Sequence, residues 1–214
     1  GDERFTVNLT EKEKEKFPNI NYAKVFNKNF FEKNQSNSST SLEALSYLNK
    51  LYLYNHKYKE EKKTIDKFSD IFYLFTNKFF LKENAKILNT YEALSYALDA
   101  KHGLSMDDRR FYYDSYNKFY LPIYYDGKSQ ILEKTQYLDL NENIEKNTFS
   151  NEAVKGAIDA IVLIENLSLK KFLKILENSH MKISYQELEN IIKKVKERLY
   201  VLNKFNPIDI NIEN

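Results

Sequence analysis

The residue types best suited to chemistry cluster in one short stretch of the chain. A histidine between carboxylates can act as a general base, and arginine can stabilise an anion. The stretch contains the following six residues: Asp99, His102, Asp107, Asp108, Arg109 and Arg110. The same residues also fit helix ends, because a helix dipole favours a cation at its C-terminus and acids in its first turn. We therefore predict that His102 precedes a helix-ending Gly103, that Asp107 and Asp108 begin the next helix, and that none of them is catalytic.

The sequence lacks the residue patterns of the other common catalytic and metal-binding sites. Cysteine is absent, the three histidines are far apart in sequence, and four glycines are too few for a phosphate-binding loop. One E-x-x-H match, Glu177 and His180, has no second copy, and Asp139 begins an acidic run without the glycine of a calcium loop. We predict a protein that is not an enzyme and has no metal or cofactor; an enzyme with its site around His102 is the weaker alternative.

Aromatic residues crowd the stretch 111–125, which holds eight Phe or Tyr in fifteen positions. A helix there buries only part of them, and exposed tyrosine is common at protein interfaces. The alternative is that tyrosine merely replaces other apolar residues in a chain whose composition follows A/T-rich codons. We expect a protein partner to contact Tyr113, Tyr120, Tyr124 and Tyr125 of this stretch, together with Arg109 and Arg110 directly before it.

The C-terminal part of the chain is basic. Residues 168–204 carry nine basic and four acidic side chains. Such a face can bind an acidic protein or a sulfated glycan, or it can simply be solvated. The candidate residues are Lys193, Lys194, Lys196 and Arg198. We do not expect a nucleic-acid partner, because the formal net charge is only +2 and only four basic residues are arginine.

Apolar periodicity and scarce glycine and proline predict an all-α fold, a single bundle-like domain of about seven helices. A short helix over 20–33 and a polar linker over 34–41 are expected to precede them. The main helices are predicted over 42–56, 58–80, 90–101 and 105–120, and after the caps Ser150, Ser168 and Ser184. The helix after Ser150 is apolar nearly all round, so we expect it to be central. Asp126-Gly127 indicates a short β-hairpin near 122–132.

The chain divides by composition into a polar arm over 1–19, a helical domain over 20–206 and a polar tail over 207–214. Its longest apolar run, Ala160 to Ile164, is far shorter than a membrane span. The chain begins with Gly1, and no signal peptide is present. We expect a mature chain whose leader has been removed, with a trimmed chain as the alternative.

An internal echo relates Leu42–Tyr47 to Tyr91–Tyr96. Helical-hairpin repeats produce such echoes, so an intracellular adaptor with a groove lined by the helices of Tyr47 and Tyr96 is one hypothesis. In composition the chain is similar to helical surface lipoproteins of A/T-rich bacteria such as spirochaetes. The missing catalytic signatures, the absent leader, the polar arm and the surplus tyrosines lead us to expect a non-enzymatic adhesin-like protein, at the cell surface or secreted, that binds a host macromolecule. A cytoplasmic location accompanies the adaptor hypothesis.

Overall fold

A computed structural model describes residues 23–25, 29, 33, 35–62, 72–106, 108–132 and 149–205. These residues form six α-helices and one two-stranded antiparallel sheet, and 62% of the structure is helical. The predicted helical class is therefore confirmed in its main part, with fewer helices than about seven. The predicted arm over 1–19 and tail over 207–214, and most of the helix over 20–33, lie outside the described residues.

The elements follow the chain in a simple order. They are α1 Gln35–Lys62, α2 Thr76–Phe79, α3 Lys82–Ala97, a 3₁₀ turn Lys101–Leu104, β1 Arg110–Asp114, β2 Phe119–Ile123, α4 Asn151–Glu165, α5 Leu169–Asn178 and α6 Tyr185–Leu202.

The described residues fall into two compact units. The first lies within Gly1–Ala85 and His102–Gly127, and the second within Lys86–Lys101 and Lys128–Asp209. This division cuts across the predicted domain over 20–206, whose boundaries stay a prediction.

The first unit is built on α1, which starts earlier than expected. The stretch predicted as a polar linker, 34–41, is helical from Gln35 onward. Serine is accommodated there because the hydroxyl of Ser41 donates to the carbonyl of Ser38 within the helix, at 2.9 Å. Farther along, Tyr52 stacks on Phe72 with ring centroids 4.3 Å apart, and both rings are buried.

The helix predicted over 58–80 is wrong in its second half. Residues Phe72–Phe75 are not helical, Phe75 has a left-handed backbone with φ 48°, and the short α2 follows. The main chain of this segment bonds to groups distant in sequence rather than within a helix of its own. The amide of Phe72 donates to the carbonyl of Leu104 at 3.0 Å, and the side-chain amide of Asn55 donates to the carbonyl of Tyr73 at 3.0 Å. Such tertiary bonds outweigh a helical apolar pattern.

The helix predicted over 105–120 is also wrong, because this stretch forms the strands β1 and β2. The hairpin predicted near 122–132 is wrong as well: the described residues after Ile123 up to 132 contain no strand. The side chain that forms the turn of the observed hairpin is Asp114. Its carboxylate accepts the main-chain amides of Tyr116 and Asn117 at 3.0 and 3.2 Å. A four-residue loop between the strands follows from these bonds.

In the second unit α4 packs closely on α3 and α6. A Cβ added to Gly156 would lie 2.6 Å from the amide nitrogen of Thr90 and closer still to the carbonyl of Asn89. The small residues of α4 therefore do admit a neighbouring helix, as predicted. The expectation that α4 is apolar and buried all round is wrong in part, since Ile158, Val162 and Leu163 are half exposed.

The helix starts of the second unit lie at the predicted caps, although the side chain of Ser168 makes no cap hydrogen bond, and one predicted helix end is wrong. Ser150 accepts the amide of Ala153, and Ser184 forms the predicted capping box with Glu187. Gly103 does not end the preceding helix. Helix α3 ends at Ala97, and Asp99 takes the left-handed conformation with φ 54°. The amides of Asp99 and Ala100 then bond back to Tyr96 and Ser95, which is a Schellman motif.

Candidate functional site

The hairpin presents one face outward, and we call it the outer hairpin face. Arg110 pairs with Ile123 across the strands and Tyr112 pairs with Leu121, so these four side chains share one side of the sheet. Tyr112 is 62% exposed and Ile123 is 45% exposed. Tyr125, just after β2, completes the face, because the guanidinium of Arg110 lies 4.3 Å from its ring centroid.

The opposite side of the hairpin is fixed to the first unit. Tyr120 is buried, and its hydroxyl donates to the carbonyl of Ala44 at 2.7 Å. The side chain of Asn84 donates to the carbonyl of Tyr120 at 2.8 Å and accepts its amide at 2.9 Å. Asn84 therefore occupies the place of a neighbouring strand at the edge of β2. The backbone nitrogen of Pro122 lies on the same edge, facing away from β1. Its lack of a hydrogen therefore removes no bond between the strands.

The turn of the hairpin is held by charged groups. Lys118 contacts the carboxylate of Glu43 in α1 at 2.7 Å. The hydrogen bond from Lys118 holds the pKa of Glu43 below its usual range. Hydrogen bonds from Asn117 and from the main chain do the same for the pKa of Asp114. The outer hairpin face therefore stands on a strand pair that is fixed at both its inner side and its turn.

Two of the predicted partner-binding residues point inward. Arg109 is only 2% exposed, and it donates to the carbonyl of Leu104 at 3.1 Å and to that of Phe72 at 2.8 Å. Arg109 thus links the 3₁₀ turn to the main chain at Phe72. Tyr120 is buried as described above. Neither side chain is offered to a partner, which corrects their place in the candidate interface.

Tyr113 lies half-buried on the inner side of the hairpin, and Tyr124 is exposed beyond its end. Burial and the negative charge of Glu43 raise the pKa of the Tyr113 hydroxyl to about 12. Tyr113 therefore supports the hairpin rather than extending the outer hairpin face. Of the six residues predicted in the aromatic stretch, the structure brings only Arg110 and Tyr125 together on that face, with Tyr124 beside them.

The basic residues of α6 are partly engaged within the second unit. Lys196 lies 2.9 Å from the carboxylate of Glu165, and that bond raises the pKa of Lys196. Arg198 donates to the carbonyl of Ala97 at 3.0 Å. Lys193 and Lys194 are exposed. Lys196 and Arg198 are thus directed to groups of the protein itself.

The cluster around His102 is arranged differently from the prediction. His102 lies in the 3₁₀ turn, and Asp108 lies in a turn rather than at the start of a helix, so helix ends do not account for them. Asp107 lies outside the described residues. The Nε2 atom of His102 is 3.2 Å from a carboxylate oxygen of Asp108 and 3.5 Å from one of Asp126. Sequence reasoning did not connect Asp126 with His102, because their contact depends on tertiary structure.

Two other predicted features have structural explanations. His180 takes a left-handed conformation at the end of α5, where its amide bonds back to Glu177, so the E-x-x-H match belongs to a helix end. Tyr96, in the helix expected to line a groove, is buried against Phe149. Asp159 in α4 is about one-third exposed and pairs with Lys86 at 2.9 Å.

Comparison with known proteins finds no match to a family model, a curated protein or a solved structure. In the part of the chain that the structure describes, no helix combines the length and apolar character needed to cross a membrane.

Proposed function

We propose that this chain is a non-enzymatic protein-binding module that contacts its partner through the outer hairpin face. The observation that supports this most is the exposure of Tyr112 and Ile123 on strands whose other side is fixed to the unit. Most exposed side chains on a protein must lose conformational freedom when they bind. Tyrosine on a rigid strand loses little, and it offers a large contact area with a polar end.

The chemistry of the face favours a partner of a particular kind. Tyr112, Leu121 and Ile123 offer apolar contact, and Arg110 is positioned over Tyr125. One Nη of Arg110 donates to the carbonyl of Arg109 at 3.2 Å. A guanidinium on an aromatic ring is partly desolvated, and its positive charge attracts a carboxylate. The proposed partner is therefore a protein surface with an apolar patch beside an acidic side chain.

The proposal extends to location. The chain's composition, which is similar to that of helical surface lipoproteins of A/T-rich bacteria, supports display at a microbial cell surface and a partner from the host. An intracellular adaptor with a groove lined by the helices of Tyr47 and Tyr96 is the alternative.

The test is capture of a partner by the immobilised chain at physiological salt, from host serum and separately from cell lysate, with identification by mass spectrometry. Tyr112→Ser is the test variant. Tyr185→Ser is the matched control, because Tyr185 is 43% exposed and lies in α6, away from the hairpin in sequence. Loss of a central interface tyrosine weakens binding by about tenfold or more.

A saturable serum protein whose binding is weakened at least tenfold by Tyr112→Ser, and not by Tyr185→Ser, supports the proposal. Equal binding by both variants contradicts the role of the hairpin. A saturable partner found only in lysate contradicts the surface location, and no saturable partner in either source contradicts the binding function.

A further inference from the structure

Three metal-ligating side chains converge in the first unit, beside the hairpin. They are His102 from the 3₁₀ turn, Asp108 from the turn after it, and Asp126 from the segment that follows β2. One ligand atom from each lies within 4.8 Å of the other two. Such convergence from three separate segments is not produced by any local sequence pattern.

The backbone makes room for this arrangement at two glycines. A Cβ added to Gly103 would lie 2.8 Å from the carbonyl oxygen of Tyr125 and 3.2 Å from the Cα of Gly127. The 3₁₀ turn and the 125–127 segment therefore touch main chain to main chain. This close approach puts the carboxylate of Asp126 beside the imidazole of His102.

We propose that His102, Asp108 and Asp126 bind a divalent first-row metal ion of the Zn²⁺ type. Metal–ligand bonds of about 2.0–2.2 Å place neighbouring ligand atoms roughly 3.0–3.5 Å apart. The two distances from Nε2 of His102, 3.2 Å to Asp108 and 3.5 Å to Asp126, fit that spacing. The proposal does not depend on the proposed binding function of the hairpin.

The donor types select the class of ion. Mg²⁺ and Ca²⁺ prefer ligand sets made of oxygen alone, whereas an imidazole with carboxylates suits Zn²⁺ and its neighbours. The hydroxyl of Ser105 donates to the metal-facing oxygen of Asp108 at 2.9 Å, which orients this ligand from outside. His102 and Asp126 each keep 43% of their side-chain surface exposed, so water can complete the coordination.

A cation also suits the charges of this cluster. Two carboxylates approach the Nε2 atom of His102. Like charges that share a site repel each other, and a cation close to both offsets this repulsion. A bound divalent ion would contact both carboxylates and the nitrogen at once.

The test is isothermal titration of the full chain with ZnCl₂, and separately with MgCl₂ and CaCl₂. Asp126→Asn removes one ligand charge and keeps a residue that tolerates the φ of 41° at this position. His102→Gln removes the nitrogen ligand. His180→Asn is the matched control, because His180 is an exposed histidine that also has a left-handed backbone.

The expected result is one Zn²⁺ per chain in the wild type and in His180→Asn. Binding should be at least tenfold weaker in His102→Gln and in Asp126→Asn, with Mg²⁺ and Ca²⁺ weaker than Zn²⁺ in the wild type. Circular dichroism checks that each variant is folded. No Zn²⁺ binding by the folded wild type, or unchanged binding by both site variants, would overturn the proposal. Loss of binding in His180→Asn alone would also overturn it, since the ion would then lie at α5.

Discussion

Replacing Gly156 with alanine is expected to destabilise the second unit, although alanine favours helices. Gly156 lies in α4, where the main chain of α3 passes over it. The added methyl group would lie 2.6 Å from the amide nitrogen of Thr90 and closer still to the carbonyl of Asn89. Both contacts are with backbone atoms, which cannot rotate away as a side chain could. The two helices must therefore move apart.

The expected loss can be worked out from this geometry. Ordinary contact between heavy atoms requires about 3.5 Å, so α3 has to shift by more than about 1 Å, because the carbonyl of Asn89 lies closer than the nitrogen of Thr90. Overpacking of this kind destabilises the folded state by about 1–3 kcal/mol. Because the contacts here are with backbone atoms, we expect a cost at the upper end, about 3 kcal/mol. Alanine regains about 1 kcal/mol of helix propensity over glycine. The net loss is about 2 kcal/mol, equivalent to a melting temperature lower by roughly 4–8 °C.

Thermal unfolding followed by circular dichroism measures this change. Lys155→Ala is the control, because Lys155 is the exposed neighbour of Gly156 in the same helix. The control should change the melting temperature by no more than about 1–2 °C, as expected for an exposed site. A Gly156→Ala variant that melts at or above the wild-type temperature would refute the close packing of α3 on α4.

Three further predictions concern single side chains. Ser184→Ala should cost about 1 kcal/mol in urea unfolding, because it removes the cap of α6; Ser168→Ala should cost less, since the Ser168 side chain makes no cap hydrogen bond. Asn84→Ala leaves the buried amide and carbonyl of Tyr120 without their partner, and should cost roughly 3 kcal/mol in the same assay; a loss below about 1 kcal/mol would contradict the edge contact. The pKa of Tyr113 is raised to about 12 in the folded protein. The unfolded chain therefore ionises at this residue first, near the ordinary tyrosine pKa of about 10. The stability that Tyr113 contributes is present below that pH and is lost as the pH rises toward 12. Stability measured against pH should therefore fall more steeply above pH 10 in the wild type than in Tyr113→Phe, and parallel curves would contradict the shift.

The second unit could be predicted from the sequence because its signals are local. Ser150 and Ser184 lie directly before apolar stripes, and Glu187 completes a capping box, so the starts of α4 and α6 follow from neighbouring residues. The exposed side of α4 could not be predicted. Ile158 and Val162 are as apolar as the residues facing the core, and periodicity does not distinguish the two sides of a helix that is apolar all round.

The hairpin was missed because aromatic residues fit two periods at once. Tyr112, Tyr116 and Phe119 have helical spacing, but the stretch is also rich in residues that favour strands. The deciding signal was available at Asp114 and Asn117, whose side chains form the turn; the prediction gave this role to Asp126-Gly127 instead.

The candidate sites depend on contacts that no local pattern contains. Arg109 was expected at a surface, yet its guanidinium bonds carbonyls that are 5 and 37 residues away in sequence. Asp126 reaches His102 only because two glycine-containing segments meet. In both cases tertiary packing decides which groups of the chain meet, and local sequence patterns do not specify that packing.

Site-specific photo-crosslinking tests the central claim most directly. A benzophenone amino acid is placed at position 112 of the full chain, and at position 185 in a control chain, and each is irradiated in host serum. The account predicts one predominant protein adduct from position 112 and none from position 185. No adduct from position 112, or the same adducts from both positions, would contradict a partner that binds the outer hairpin face.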